Sequence, residues 1–197
     1  MAEKRTYELK ERARKQAETR RRIVEATVAL HEEVGPVQTT VAEIARRAGV
    51  QRLTVYNHFP DERELFGACS AHFLQRTPPP DPAQWAAVAN PGARLRAALL
   101  DLHAWYRAEA AMLGNVERDA LRMPALREVR EAGRQPFDRA VRELLSAGWN
   151  VRGARRRRLE AAIGLATSFS AWEQLTTREG LDEADTVELL AGLVEGV

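Results

Sequence analysis

The sequence predicts an all-α protein in two parts, an N-terminal three-helix unit with a helix-turn-helix and a larger C-terminal helical part. Three observations predict it. The stretch TTVAEIARRAGVQRLTVYNHFPDERELF, from Thr39 to Phe66, contains two short helical patterns joined by a glycine turn and followed by a third helix start. Apolar residues recur at steps of three and four from Ile23 to the C-terminus, and no strand-like alternation competes with them. Between the two parts lies PPPDPAQWAAVANPG, residues 78–92, whose five prolines interrupt helical order.

Taken in order, residues 1–19 are charged and poor in large apolar side chains, so they read as a basic extension, either disordered or a solvated helix. Residues 20–76 make the first domain. From Arg20 to Val34 the stripe Ile23, Ala26, Leu30 and Val34 defines a helix that Gly35 and Pro36 stop. Thr40 and Glu43 form a capping box, in which each side chain can satisfy an amide of the other. Val41, Ile44, Ala45 and Ala48 then line one helix face. Arg46 and Arg47 point away from that face. Gly49 can take the positive φ that ends a helix tightly, and Val50 turns inward. The next helix begins near Gln51, with Val55 and Phe59 inward and Arg52, Thr54, Tyr56 and Asn57 on the polar side. Pro60 and Asp61 open a longer helix to about Arg76, with Asp61 and Glu64 as a second capping box and Leu65, Phe66, Cys69 and Phe73 buried.

Residues 77–197 make the second domain. Leu95, Ala98, Leu99, Leu102, Trp105 and Tyr106 form one stripe, and Val116, Ala120 and Leu121 a shorter one. Pro124 suits the first turn of a helix bearing Leu126, Val129, Phe137, Val141, Leu144 and Leu145, which Pro136 should kink or split. The basic run Arg152 and Arg155 to Arg158 reads as a solvated helix start. The last two helices are expected from about Ala154 to Thr177 and from Asp182 to Glu195, the latter with a stripe of Val187, Leu190, Leu193 and Val194.

Composition narrows the function. A net charge of +2 with a pI near 9.0 is weak evidence for a polyanionic partner. Its distribution says more, because residues 1–22 hold nine Lys or Arg against four Glu and the remainder is net negative. The single cysteine, Cys69, excludes an intramolecular disulfide, and its apolar spacing favours a buried thiol. His31, His58, His72 and His103 lack metal-ligand spacing, and no nucleophile and base motif stands out, so neither a catalytic residue nor a metal or other cofactor is expected. No apolar run approaches the roughly 18 residues of a membrane span, and no signal-peptide core opens the chain, so a soluble cytoplasmic protein without membrane association is expected.

The pattern T-x-x-x-I-A-x-x-A-G-V-x-x-x-T-V-Y-x-H-F, carried by Thr40, Ile44, Ala45, Ala48, Gly49, Val50, Thr54, Val55, Tyr56, His58 and Phe59, resembles the DNA-binding motif of the TetR family of transcriptional regulators. The resemblance implies a helix-turn-helix DNA-binding domain with a linking helix, and a C-terminal helical domain for effector binding and dimerisation. It implies that the helix from Gln51 to His58 enters the major groove of a double-stranded DNA operator. The chemistry of the side chains suits that role. Arg52 can donate two hydrogen bonds to guanine, Gln51 and Asn57 can pair with adenine or phosphate, and Leu53 can touch a thymine methyl. Thr54 and Tyr56 can reach phosphates, as can Thr40 at a helix start; Arg46 is a further candidate, and His58 either contacts DNA or packs beside Phe59. The family's usual lysine after H-F is replaced by Glu62, which repels phosphate, leaving Arg63 as the substitute. Gln51 is also a weak cap.

The basic extension is expected either to contact DNA in a salt-dependent manner or to act as a solubilising tail. The resemblance further implies a homodimer through the last two helices, a palindromic site, repression, and release by an unidentified small-molecule effector. Trp105, Tyr106, Met112, Met123, Phe137 and Trp172 are the candidate apolar lining, with His103, Asn115, Glu117 and Arg118 as polar anchors. Each also has an ordinary reading as core or solvated surface. The competing expectation is a ligand-independent DNA-binding or architectural protein with the same fold.

Overall fold

The computed structural model describes residues 2–197, with side chains from Thr6 onward. Met1 and the side chains of Lys4 and Arg5, part of the predicted basic extension, lie outside the described residues. Ten α-helices occur among the described residues: α1 (Ala2–Glu33), α2 (Val41–Ala48), α3 (Arg52–His58), α4 (Glu62–Arg76), α5 (Pro91–Ala108), α6 (Ala110–Ala120), α7 (Pro124–Leu145), α8 (Gly153–Ala166), α9 (Phe169–Glu173) and α10 (Glu183–Glu195). No strand is present among those residues. The helices form two compact units, one of residues 1–78 with 114–131, the other of 79–113 with 132–197. Placing 114–131 with the N-terminal helices is a grouping that local sequence patterns do not announce.

In the first unit α1 packs on α2 and α4, and α2 on α3. The buried faces are Ile23, Val24, Val28 and Leu30 of α1, Ile44, Ala45 and Ala48 of α2, Val55 of α3, and Leu65, Phe66, Cys69 and Phe73 of α4. Val34 lies just past the end of α1 and is exposed, because Gly35 at φ 89° has already turned the chain into the short 3-10 turn Pro36–Gln38. The capping box at α2 is half realised. The Glu43 amide donates to Thr40 Oγ1 at 3.2 Å, but the Glu43 carboxylate turns to Arg46 (Nε at 3.0 Å) and does not reach back. A guanidinium three residues on is a stronger partner than a lone amide. At α4, the Glu64 amide donates to Asp61 at 2.8 Å.

The segment 114–131 closes this unit. Phe66, Ala120 and Leu126 share a small core, flanked by Val116, Met123 and Val129. The Asn115 side-chain amide donates to the carbonyls of His31 (2.9 Å) and Glu32 (3.0 Å), which satisfies the open end of α1, and Asp119 accepts from the Val37 amide at 2.9 Å. Leu121, expected in an apolar stripe, is 82% exposed. The helix has ended at Ala120, so the residue after it no longer follows the stripe.

The second unit is built on α5, whose Leu95, Ala98, Leu99, Leu102 and Tyr106 are buried with residues of α7, α8, α9 and α10. The proline-rich connection is anchored: Trp85, within the 3-10 turn Pro82–Ala87, is buried and its Nε1 donates to Asp101 at 2.8 Å. Helix α7 runs through Pro136 unbroken. The helix expected from Ala154 to Thr177 breaks instead at Thr167 and Ser168. Tyr106 Oη donates to the Thr167 carbonyl at 2.6 Å, and the Ala171 amide that would have taken that carbonyl bonds Ser168 Oγ at 3.2 Å. After α9 the chain widens into a π-helical turn, Gln174–Arg178. On α10, Val187, Leu190 and Val194 are buried as expected, whereas Leu193 faces outward.

The tightest backbone requirement sits between α2 and α3. Gly49 has φ 64° and ψ 41°, its amide bonds Arg46 O at 3.3 Å, and the Val50 amide bonds Ala45 O at 2.9 Å, a complete Schellman closure. A Cβ at Gly49 would meet nothing nearer than 3.8 Å, so a substitution there costs conformation and not space. Gly49→Ala should destabilise the protein by about 1–2 kcal/mol, read as a lower urea midpoint with an unchanged m-value.

Candidate nucleic-acid interface

Helix α3 is seven residues long and is held by one buried apolar side chain, Val55, together with Phe59 just beyond its end. That leaves most of its circumference facing outward. Gln51, Arg52 and Asn57 are exposed, and Leu53 and Tyr56 are 66% and 54% exposed. Thr54 and His58, one turn apart, are half-buried on the side that faces α1. An exposed leucine and tyrosine beside an arginine and an asparagine have no role in this unit's packing, and they supply apolar, bidentate-donor and amide chemistry from one short rod. Gln51 makes no side-chain cap, so the helix start is held by backbone alone.

The supports of α3 come from α1 and α2. The Arg20 guanidinium lies 4.4 Å over the Phe59 ring, and Arg47 pairs with Glu33 at 2.6 Å, tying α2 to α1. Thr40 is exposed at the start of α2, its hydroxyl engaged as the cap. Two of the sequence-derived candidates carry protein partners. Arg46 binds Glu43, and that hydrogen-bonded pairing holds the Glu43 carboxyl below its usual range. Arg63 pairs with Glu128 of α7, so this proposed substitute for the missing lysine has a local carboxylate of its own. The exposed Glu62 stands beside it.

The candidate effector residues do not form one group. His103, Tyr106 and Trp172 are buried in the second unit, Trp105 and Phe137 are half-buried against the same core, and Met112 is buried on α6. Met123 belongs to the small core of the first unit. Asn115, Glu117 and Arg118 are engaged there too: Asn115 caps α1, Glu117 pairs with Arg130, and Arg118 donates to Asp119 at 2.8 Å. Around Tyr106 the rings of Trp105, Phe169 and Trp172 stand 5.5–5.9 Å away. Phe169 is not among the candidate effector residues; it lies where a helix was expected to run unbroken from about Ala154 to Thr177, and the break at Thr167 and Ser168 brings it to Tyr106. Next to this cluster, His103 is fully buried and neither ring nitrogen has a hydrogen-bond partner among the described residues.

Burial pushes His103 down to about 4 against the opposing pull of Glu183, and it likewise pushes His31 down to about 4 although Asp119 works in the other direction. Cys69 is buried, and desolvation raises its thiol to about 12, the mark of an inert core residue. No cluster of three metal-ligating side chains occurs among the described residues, and no described helix is long and apolar enough to cross a membrane.

A short exposed helix presented by a left-handed turn from a second helix, on a three-helix support, defines a helix-turn-helix protein. A profile of bacterial regulatory proteins, tetR family, matches residues 23–69, the support helix through α4. An uncharacterised HTH-type transcriptional regulator of Mycobacterium tuberculosis H37Rv is 44% identical over 52 residues, which is 26% of this chain and 28% of that protein. The chain thus spans little more than a quarter of the length of the curated relatives it matches. Solved structures extend the likeness of fold over nearly the whole chain. A transcriptional regulator from Rhodococcus sp. Rha1 superposes with a TM-score of 0.58 at 19% identity, covering 90% of this chain and 95% of its own. The multidrug binding protein EbrR, complexed with imidazole, superposes with a TM-score of 0.61 at 23% identity, covering 88% and 93%. By motif and profile, residues 23–69 are a helix-turn-helix domain of the TetR family of transcriptional regulators, and nearly the whole chain shares the fold of these solved structures.

Both buried histidines make stability depend on pH in one direction. Their folded values lie below the ordinary 6.5, so between pH 6.5 and about 4 the unfolded chain takes up protons that the folded chain refuses. The stabilisation is complete above pH 6.5 and is lost as the pH falls toward 4. The unfolding free energy obtained from urea titrations over that range should fall on acidification by up to about 3 kcal/mol per histidine. His103→Leu should remove its share of the slope.

Proposed function

We propose that the protein is a DNA-binding repressor that acts as a homodimer on a palindromic operator and is released by a small-molecule effector. The observation that carries the DNA contact is the outward face of α3, where Arg52, Leu53, Tyr56 and Asn57 are exposed on a rod held by Val55 and Phe59. Arg52 is the bidentate guanine reader, Asn57 and Gln51 pair with adenine or phosphate, and Leu53 meets a thymine methyl. Thr54, Tyr56, His58 and Thr40 contact the backbone. Arg46 and Arg63 contribute only by exchanging a carboxylate partner for phosphate.

One such helix reads too few base pairs for genomic selectivity, and two copies spaced by about 34–36 Å would supply the rest. What supports α8 and α10 as the joining surface is a set of leucines left exposed in the single chain: Leu165 is 60%, Leu189 43% and Leu193 54% exposed.

What supports effector binding over a ligand-independent reading is His103. A buried polar group without a partner costs about 1–3 kcal/mol, a cost that selection retains mainly at functional sites. Neutral at physiological pH, its imidazole offers one donor and one acceptor beside the aromatic cluster of Tyr106, Phe169 and Trp172. An uncharged apolar molecule with one hydrogen-bonding group suits it. Such an effector acts by binding better to the arrangement that does not fit DNA.

Selection of duplexes from a randomised library by the purified chain tests the reading, and recovery of a palindrome is the expected result. Arg52→Ala should weaken binding to the recovered duplex by about 1–3 kcal/mol and relax one base position in each half-site; unaltered base preference would count against the assignment. Leu193→Asp should convert the dimer to monomer in sedimentation and abolish operator binding while leaving the helical circular dichroism intact.

A further inference from the structure

The basic run that opens α8 faces the last turns of α7, and between them lies a groove of about 530 Å³ with an entirely polar lining. We infer that this groove is a binding site for a small hydrophilic phosphate-type dianion. It is distinct from the apolar surroundings of His103 and independent of the DNA-reading role of α3. Five arginines fall between Arg152 and Arg158 with no carboxylate among them, so the approach to the groove carries a positive field.

The α7 wall is one helix face, with Gln135, Asp138, Arg139 and Arg142 within two turns, and Arg156 and Glu160 stand one turn apart on the α8 wall. Arg156 is half-buried and pinned. Its Nη1 donates to the Ser146 carbonyl at 2.7 Å, its Nη2 to Ser146 Oγ at 2.7 Å and its Nε to Glu160 at 2.6 Å, which fixes the start of α8 against the end of α7. Arg142 is seated differently. Its guanidinium lies along α8 at Gly164, where a Cβ would come within 3.1 Å of Nη2 and 3.7 Å of Cζ. Neither the Arg142 nor the Arg139 side chain has a hydrogen-bond or ion-pair partner among the described residues. Two of the carboxylates in the groove are already engaged, Glu160 by Arg156 and Asp138 by Arg134 at 3.3 Å. Glu143 remains, one negative charge against two unpaired guanidiniums.

Two guanidiniums about one helical turn apart, each a planar fork of donors, match an oxyanion with two charges and three oxygens better than a single carboxylate. The polar lining decides the rest of the ligand. With no large apolar side chain in the groove, a docking helix or a hydrophobic molecule would bury little apolar area there, whereas Gln135 and Glu143 suit hydroxyl groups. The chemistry is that of a phosphorylated metabolite or of free phosphate. An anion held there bridges α7 and α8 and stabilises the folded chain.

The experiment titrates the full chain calorimetrically, in chloride buffer at fixed ionic strength, with inorganic phosphate, β-glycerophosphate and glycerol. The expected result is saturable binding of one phosphate group per chain, no binding of glycerol, and a higher melting temperature with either phosphate. Tighter binding of β-glycerophosphate supports a phosphate ester as the occupant, and equal or weaker binding supports free phosphate. Arg142→Gln should weaken binding by at least about tenfold, Arg142→Lys should lose less, and Arg139→Gln with Arg142→Gln should abolish it. Both side chains are exposed, so the helical circular dichroism should not change. The control is Arg157→Gln with Arg158→Gln, which removes the same charge outside the groove lining and should bind as the parent does. No saturable binding of either phosphate up to about 10 mM overturns the site, as does unchanged affinity in the Arg139 and Arg142 double variant. An equal loss in the control assigns the binding to a diffuse basic surface and also overturns it.

Discussion

The left-handed turn at Gly49 is the constraint on which the first unit depends. Helix α2 buries Ile44, Ala45 and Ala48, and α3 has only Val55 to hold it. A seven-residue helix is too short to be stable by itself, so its direction must be imposed by the chain that enters it. The Schellman closure does this by spending two of the open carbonyls of α2 on the amides of Gly49 and Val50. The chain then leaves at an angle that sends Val55 and Phe59 inward and Arg52, Leu53, Tyr56 and Asn57 outward. Function and folding therefore meet at one glycine whose surroundings leave room for a side chain but whose φ does not suit one.

The support beneath that turn is reinforced from far along the chain. Residues 114–131 bring Asn115 to the end of α1, Asp119 to the amide of Val37, and Ala120 and Leu126 to Phe66 of α4. Asp119 is buried and accepts from the Val37 amide, which holds the turn that leads from α1 to α2. The exposed ion pairs of the first unit, such as Arg46 with Glu43, add little stability because solvent screens them. Their use is in geometry, since each holds a long side chain in one place.

In the second unit the decisive polar contact is Tyr106 to the Thr167 carbonyl. It ends α8, lets Ser168 start α9, and sets Phe169 and Trp172 around the tyrosine ring. The same helix carries His103 one turn earlier, buried and unpaired. The Tyr106 hydroxyl is satisfied by the Thr167 carbonyl, whereas neither ring nitrogen of His103 has a hydrogen-bond partner among the described residues, so the cluster is polarised along α5.

What the sequence determined by itself is short-range. Capping at Thr40 and Asp61, the positive φ of Gly49, and the buried stripes of α1, α2, α4 and α5 all follow from side chains within a few residues of one another, whose energetics hardly change with context. The helix-turn-helix and the outward residues of α3 were legible for that reason. The tertiary structure decided what depends on partners far apart in the chain. The break at Thr167 needs a tyrosine 61 residues away, and the cap of α1 needs an asparagine 84 residues away. Met123, a candidate effector residue, packs against the small core of Phe66, Ala120 and Leu126, and Leu193, on the expected apolar stripe, faces outward. Periodicity says that a residue lies on an apolar face; only packing says which core receives that face, or whether any does within a single chain.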